Sequence, residues 1–502
     1  MNSPIIKDKL FKYSAIVFFI GFFIVGISIF SEYGISCDER NFSRLNGYTN
    51  YTFITNGDAK SLLACEEKYH GPSYEIFLYS AEVFLNLRDT RDIYLMRHFL
   101  NFLFFYISII FFYLFGLKIF KRHGAALLCC LMLVASPRIF AESFYNSKDL
   151  IMLSACIIAS YTAFVFIERQ TIWTAIIHAL ICGFLLDIRI IGVLIPFLTT
   201  IFYLVQKPKK IVYLIIFIFY TISFTIAFWP VLWLNPVIHF IGALKEMSHF
   251  PIPVIVFYLG EFITSQNLPW HYVPVWVLIT TPSLYILYFL IGVFFIVKNS
   301  YKSFFAEQQI KFALLMFATP VLSIIILNSA IYDSYRHIFF IYPFLILLAV
   351  YGFTQLIQSI KIRFVTKTIT FLTAIFILHI YLFMFVNRPF QNVYFNFLAG
   401  ENIRQNFELD YWGLSFRQAL EYILENDKSK EIRIAASNEE CQLNFEILPI
   451  EGRKRLFWKK DVEEADYYLT NFRYHPNEYE IGHSVFNIKV GGEKIMEVYK
   501  LK

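Results

Sequence analysis

The chain has 502 residues, of which 57% are hydrophobic, 20% aromatic and only 16% charged. A soluble domain is about 45–50% apolar and about 25% charged, so this composition points toward lipid and excludes a disordered chain or a single soluble domain. The net charge of +6 raises the question of a nucleic-acid partner, which the positions of the cations decide.

A membrane-crossing helix needs about 20 apolar residues. Charge-free runs recur at Tyr13–Phe30, Phe99–Leu117, Leu150–Ile167, Ile211–Trp229, Tyr272–Val297, Phe312–Tyr332, Ile338–Ile357 and Thr368–Val386. Weaker runs are Ala125–Pro137, Ile172–Leu186 and Ile190–Val205, the last two parted by a turn at Asp187-Ile188-Arg189. These predict an all-α polytopic membrane protein of eleven spans. The first run is too long for a signal-peptide core and has no small-residue cleavage site, so it is expected to remain as an anchor.

Lys7, Lys9 and Lys12 precede the first span. Alternate gaps then carry Lys118/Lys121/Arg122, Arg169, Lys207/Lys209/Lys210, Lys298/Lys302/Lys311 and Lys361/Arg363/Lys367. Cations mark cytoplasmic loops, so the N-terminus is expected in the cytoplasm of a multi-pass inner (plasma) membrane protein. The same sorting accounts for the +6 without nucleic acid.

Three large pieces fall on the outer side: a first loop at 31–97, the segment Leu234–His271, and the tail 387–502. The tail is soluble-like in composition. It predicts a helix near Ser415–Glu425 and strands at Ile432–Ala436, Tyr467–Phe472, Val485–Val490 and Lys494–Tyr499. Gly491-Gly492 signals a hairpin between the last two. The expected division is a transmembrane domain at 1–386 and a small α/β domain at 387–502, periplasmic or otherwise extracytoplasmic.

The seven cysteines form no CxxC and no zinc-spaced cluster, so no metal cluster is evident, and outer-loop acids stay open as metal ligands. Cys129, Cys130, Cys156 and Cys182 lie in apolar runs as core filler. Cys37 and Cys65 flank one polar loop, which leaves a disulfide open if that loop meets an oxidising compartment.

Ionisable residues near hydrocarbon are costly and mark function. Here they fall on the outer side: Asp38-Glu39; Arg138, Glu142, Lys148 and Asp149; Asp187 and Arg189; Asp333, Arg336 and His337. Such a mixture suits a lipid phosphate held by cations and a hydroxyl deprotonated by an acid. Plainer readings stand beside it. Asp187 and Arg189 can pair across their turn, Glu142 and Lys148 can solvate a loop, and Glu66-Glu67 reads as a solvated face. Asn41-Phe-Ser and Asn50-Tyr-Thr match the glycosylation acceptor pattern.

Five segments, in order, resemble a known family. They are Cys37-Asp38-Glu39-Arg40, the run from Tyr69-His70-Gly71-Pro72 to Tyr74-Glu75, the run Ser136 to Asp149, Tyr332 to His337, and Asp410 to Ser415. The chain is similar to bacterial members of glycosyltransferase family 39, a group that includes protein O-mannosyltransferases and lipid A aminoarabinose transferases. It carries His-Gly-Pro where the family has His-Pro-Pro, and lacks the inserted lumenal domain of the protein mannosyltransferases.

The resemblance implies a GT-C fold and an inverting transfer of a hexose or pentose from a polyprenyl-phosphate donor to an acceptor hydroxyl. Asp38 becomes the expected base, with Glu39 assisting. Arg138, Lys148, Arg189 and Arg336 are the expected phosphate ligands, with His337 and Asp149 as second choices. Tyr69, His70 and Tyr74 are expected in the first loop near the acceptor. No cofactor is required, and the partners are membrane lipid, the lipid-linked donor and a glycan, lipid or protein acceptor. The alternatives are a transporter or flippase for lipid-linked saccharides, and an envelope ligase or non-catalytic scaffold. A flippase predicts inverted repeats and midplane breaks, and neither is visible in the sequence.

Overall fold

The computed structural model describes residues 4–206, 208, 210–248, 253–300 and 308–502. Lys207, Lys209 and Lys302 of the expected cytoplasmic set lie outside the described residues. The chain opens on α1 (Pro4–Ile29). The first outer loop is itself helical, with α2 (Leu45–Asn56), α3 (Ala59–Ala64) and α4 (Ser73–Phe84). The body continues through α5 (Thr90–Phe120), α6 (His123–Val134), α7 (Pro137–Tyr145), α8 (Asp149–Arg169), α9 (Ile172–Ile188), α10 (Leu194–Val205) and α11 (Val212–Phe228). Next come α12 (Val231–Leu234), α13 (Pro236–Ser248) and a hairpin of β1 (Ile255–Tyr258) and β2 (Glu261–Thr264). The last helices of the body are α14 (Tyr272–Thr280), α15 (Ser283–Ser300), α16 (Gln308–Leu327), α17 (Tyr342–Ser359) and α18 (Arg363–Val386).

Each of the eleven predicted runs overlaps a helix, although Phe312–Tyr332 runs past the end of α16 at Leu327. Among the described residues, six helices are long and apolar enough to cross a membrane: Asp8–Glu32, Thr90–Phe120, Asp149–Arg169, Gln308–Leu327, Arg336–Ser359 and Arg363–Val386. The pair α6–α7 would make a seventh, but it bends by 69°. Four further apolar helices are shorter, at Ile172–Ile188, Ile190–Val205, Val212–Phe228 and Ser283–Asn299. The chain is thus a multi-pass membrane protein with six or seven full-length spans by this measure, against the eleven expected.

The run Tyr272–Val297 is not one helix. It breaks at Thr281-Pro282, because a residue before proline is pushed into extended backbone; Thr281 has φ −94° and ψ 137°. The carbonyls freed at the end of α14 find Asn396, whose Nδ2 donates to Leu278 at 2.7 Å and to Thr281 at 2.6 Å. The segment Ser136–Asp149, expected as an outer loop, instead holds α7, every residue of which is buried.

The tail folds as α19 (Phe416–Asn426) against a five-stranded mixed sheet. Its strands are β3 (Ile432–Ala436), β4 (Leu456–Trp458), β5 (Tyr467–Thr470), β6 (His483–Val490) and β7 (Glu493–Lys500), with α20 (Glu440–Leu443) and α21 (Ile450–Arg453) in the connections. The order is β4-β3-β5-β7-β6, with β3 parallel to β4 and β5 and the remaining pairs antiparallel. Gly491 and Gly492 turn the β6–β7 hairpin as expected. The tail does not stand apart from the helices, since Tyr394, Phe407, Tyr411, Trp412 and Leu414 belong to the main helical core.

Small residues let helices approach closely where lipid supplies no hydrophobic drive. At the α15–α17 crossing, a Cβ on Gly292 would lie 2.2 Å from the Leu348 carbonyl oxygen, and one on Gly352 would lie 2.0 Å from that of Tyr288. Gly352→Val should therefore lower the melting temperature of the detergent-purified protein, at a cost of about 1–3 kcal/mol. Gly21→Ala on α1, where nothing lies within 4 Å, should leave it unchanged.

Candidate active site

Asp38 follows an irregular stretch at 33–36 that the tail holds by its backbone. Asn444 Oδ1 accepts from the Ile35 N–H at 2.9 Å, and Asn444 Nδ2 donates to the Ile35 carbonyl at 3.1 Å. Arg417 Nη1 donates to the carbonyls of Ser31 at 2.6 Å and Tyr33 at 2.7 Å. The Cys37 N–H donates to the Trp412 carbonyl at 3.3 Å. The Tyr33 ring stacks on Phe144 of α7, with centroids 4.6 Å apart. These contacts leave the Asp38 side chain 22% exposed at the edge of the helical body.

Arg336 is the centre of the cluster. Its Nη1 lies 2.9 Å from Asp38 Oδ2 and 3.4 Å from Asp149 Oδ2, and its Nη2 lies 3.2 Å from Asp333 Oδ2. Its guanidinium also packs on two aromatic rings, 4.9 Å from the centroid of Tyr332 and 4.8 Å from that of Trp412. Asp149 is shared, because its other oxygen pairs with Arg189. Asp333 is shared as well: its Oδ1 accepts from Arg473 Nη2 at 3.0 Å. Arg473 comes from the tail and anchors there through the Tyr411 carbonyl at 2.6 Å.

The backbone on both sides of the Asp333–Arg473 pair is unusual. Asp333 and Ser334 have φ of 53° and 64°, and Phe472 and Tyr474, which flank Arg473, have φ of 60° and 63°. Left-handed backbone in non-glycine residues costs of order 1–3 kcal/mol each and gathers at functional sites.

A second group adjoins the first. Lys148 Nζ donates to Glu67 Oε2 at 2.7 Å, and His70 Nδ1 lies 3.2 Å from the same oxygen. Lys148 and Asp149 are set by Asn146, whose Oδ1 accepts both of their backbone N–H groups, at 3.2 and 2.8 Å. Burial opposes the charge on Lys148, but Glu67 and Asp38 outweigh it and hold the ammonium above its usual range. Burial likewise works against the Glu67 carboxylate, and Lys148 and His70 overcome it, so its pKa is lowered. His337 faces Arg336, Arg189, His70 and Lys148.

The loop that carries His70 is seated by close approach. A Cβ on Gly71 would lie 1.4 Å from the Asp187 carbonyl oxygen, so glycine is what this approach admits. Asp187 does not pair with Arg189; its Oδ2 accepts from the Ser73 N–H at 3.0 Å, at the first turn of α4.

Of the expected site residues, the structure brings Asp38, His70, Lys148, Asp149, Arg189, Arg336 and His337 together. Others lie elsewhere. Glu39 turns inward, accepting from Ser36 N at 2.8 Å, with His98 Nε2 at 3.0 Å. Arg138 is buried over Trp276 and Phe395, and none of its guanidinium nitrogens has a hydrogen-bond partner among the described residues. Tyr74 is core, packed on Phe77 and Phe104. Tyr69 turns toward α13, its hydroxyl 3.4 Å from His239 Nδ1. Cys37 and Cys65 are both free thiols. Asn50 of the second glycosylation pattern is buried and bonded to Asn46. Among the described residues, no group of three or more His, Cys, Asp and Glu side chains is placed to hold a metal ion.

Glu67, Asp333, Trp412 and Arg473 join the site beyond the expected set. Asp333 and Trp412 stood in the quoted segments without a role. Glu67 read as a solvated face because its neighbour Glu66 is acidic and its partner Lys148 lies 81 residues away. Arg473 carries no sequence signal.

Burial, aided by Lys148, lowers the His70 pKa from 6.5 to about 4. The unfolded chain therefore binds the extra proton between those two values. Stability from this group is complete above about 6.5 and is lost as the pH falls toward about 4. Melting temperature measured against pH should fall more steeply across that window in the wild type than in His70→Gln.

No family model matches this sequence, and no curated protein matches it. Among solved structures, the chain is similar to apo ArnT from Cupriavidus metallidurans, at 10% identity and a TM-score of 0.49, over 97% of this chain and 98% of that one. The same protein bound to undecaprenyl phosphate gives a TM-score of 0.48 at 10% identity and the same coverage. The apo oligosaccharyltransferase of Archaeoglobus fulgidus gives 0.49 at 8% identity, over 89% of this chain; this chain spans 65% of its length. These structure neighbours, a lipid A aminoarabinose transferase and an oligosaccharyltransferase, are GT-C glycosyltransferases.

Proposed function

We propose that the chain is a membrane glycosyltransferase that moves a sugar from a polyprenyl-phosphate donor to an acceptor hydroxyl at the outer membrane face, with inversion. The observation that carries this reading is Asp38, a partly exposed carboxylate 2.9 Å from Arg336 and near Lys148, with Arg189 joined to the same cluster through Asp149. A base and a phosphate-binding set thus share one edge of the helical body.

In this reading the donor phosphate takes Arg336, Arg189 and Lys148 as partners. Arg336 loosens from Asp38, and a carboxylate relieved of a cation is a stronger base. The acceptor oxygen attacks the anomeric carbon, its proton passes to Asp38, and the carbon–oxygen bond to phosphate breaks with its electron pair on the phosphate. A single displacement inverts the centre. The cations stabilise the charge that develops on the leaving oxygen in a partly desolvated site. Eleven crossings, a cytoplasmic N-terminus and an outer tail belong to the same proposal, and the sorted loop cations support them.

With a polyprenyl-phosphate-linked sugar and an acceptor, Asp38→Asn should cut release of polyprenyl phosphate by about 10²–10⁴-fold and leave the melting temperature unchanged. Near-normal turnover in that variant would refute the role of Asp38. Glu39→Gln should instead lower the melting temperature, because it weakens a buried contact with His98. A flippase would translocate the lipid-linked sugar and release no polyprenyl phosphate.

A further inference from the structure

A second large feature lies at the other end of the same helices. α1 brings Asp8 there and ends near Tyr33 at the acid–cation cluster, while α17 follows Arg336 in the chain and brings Gln358 there in its last turn. Between α1, α6, α17 and α18 the described residues leave a cleft of about 1310 Å³. Its walls are apolar, with Phe11, Leu128, Leu131, Ile310 and Ile377. Its mouth carries Lys9, Lys12 and Arg122, all exposed and none in an ion pair among the described residues. The acid beside them, Asp8, is engaged by the His123 N–H, which donates to its Oδ1 at 3.0 Å at the first turn of α6.

An apolar slot opening onto unpaired cations matches one kind of molecule, an acyl chain ending in an anionic headgroup. A soluble anion has no use for the apolar walls, and a zwitterionic lipid gains little from three cations. We propose that this cleft binds one anionic glycerophospholipid from the leaflet opposite the acid–cation cluster. Its acyl chains lie between α6 and α18, and its phosphate meets Lys9, Lys12 and Arg122. Each cation near a headgroup contributes about fivefold in affinity. The site is separate from the proposed reaction and stands whether or not Asp38 is catalytic.

Native mass spectrometry of the full chain, equilibrated with phosphatidylglycerol and phosphatidylcholine of matched acyl chains, tests this. The wild type should retain one phosphatidylglycerol in preference to phosphatidylcholine. The double variant Lys9→Gln/Arg122→Gln should weaken that retention by about tenfold or more. Ala374→Trp, which fills the cleft wall, should expel the lipid. Lys298→Gln on α15 and Leu378→Trp on the outward face of α18 should retain it. Equal retention of the two lipids by the wild type, or wild-type retention by both cleft variants, overturns the proposal. So does stoichiometric displacement of phosphatidylglycerol by polyprenyl phosphate, which would make the cleft a donor-lipid site.

Discussion

The arrangement depends on one buried guanidinium. Arg336 is almost fully withdrawn from solvent and stands among the carboxylates of Asp38, Asp149 and Asp333. Burying a charge costs several kcal/mol unless partners surround it. One arginine cannot balance three carboxylates, so Arg189 and Arg473 complete the set through Asp149 and Asp333. The stacking on Tyr332 and Trp412 fixes the plane of the guanidinium, and with it the direction of the nitrogen that meets Asp38. Asp149 and Asp333 keep Arg336 partnered when Asp38 is neutralised, because each pairs with it independently.

This network is why the tail cannot be a detached appendage. Trp412 and Arg473 come from it, and so do Asn444 and Arg417, which grip the backbone leading to Asp38. The Asp410 carboxylate accepts from the Leu414 and Ser415 N–H groups, closing the turn that presents Tyr411 and Trp412. The Tyr411 hydroxyl in turn donates to Glu142 at 3.0 Å, and Glu142 reaches Asp149 through Asn146. Membrane helices, first loop and tail therefore meet on a single set of ionisable groups. The left-handed backbone at Asp333 and around Arg473 is the conformational cost of that meeting.

Periodicity and charge sorting made the helices legible, because a lipid-facing helix must be apolar over its length. The tail strands were legible for the equivalent reason in a sheet, alternation bounded by glycine. The site was legible only in part. Ionisable residues at helix ends stand out against an apolar background, which exposed Asp38, Lys148, Arg189 and Arg336. That background says where a charge is and nothing about where its side chain turns. Asp38 and Glu39 are neighbours in sequence, yet one faces outward and the other is locked onto His98. Arg138 sits in the same charged run as Lys148, but one helical turn within a buried helix aims it at Trp276. Glu67 and Arg473 were hidden by composition, since a charged residue in a polar stretch is unremarked until its distant partner is known.

Charge conservation gives the network a further meaning in the proposed reaction. A sugar joined to polyprenyl phosphate is a phosphodiester with one negative charge. After the glycosidic bond breaks, the leaving polyprenyl phosphate carries two, while Asp38 loses its charge by taking the acceptor proton. The total is unchanged, and a unit of negative charge passes from one side of Arg336 to the other. A guanidinium already shared among several acids can follow that movement by exchanging partners, with little need to relocate. The low-dielectric surroundings make each exchange count for more than it would in water. Asp38 is the carboxylate suited to give up its share, because it is the most exposed of the three and Arg336 is its one ion-pair partner among the described residues. Asp149 and Asp333 each hold a second cation and so remain charged while the phosphate is held.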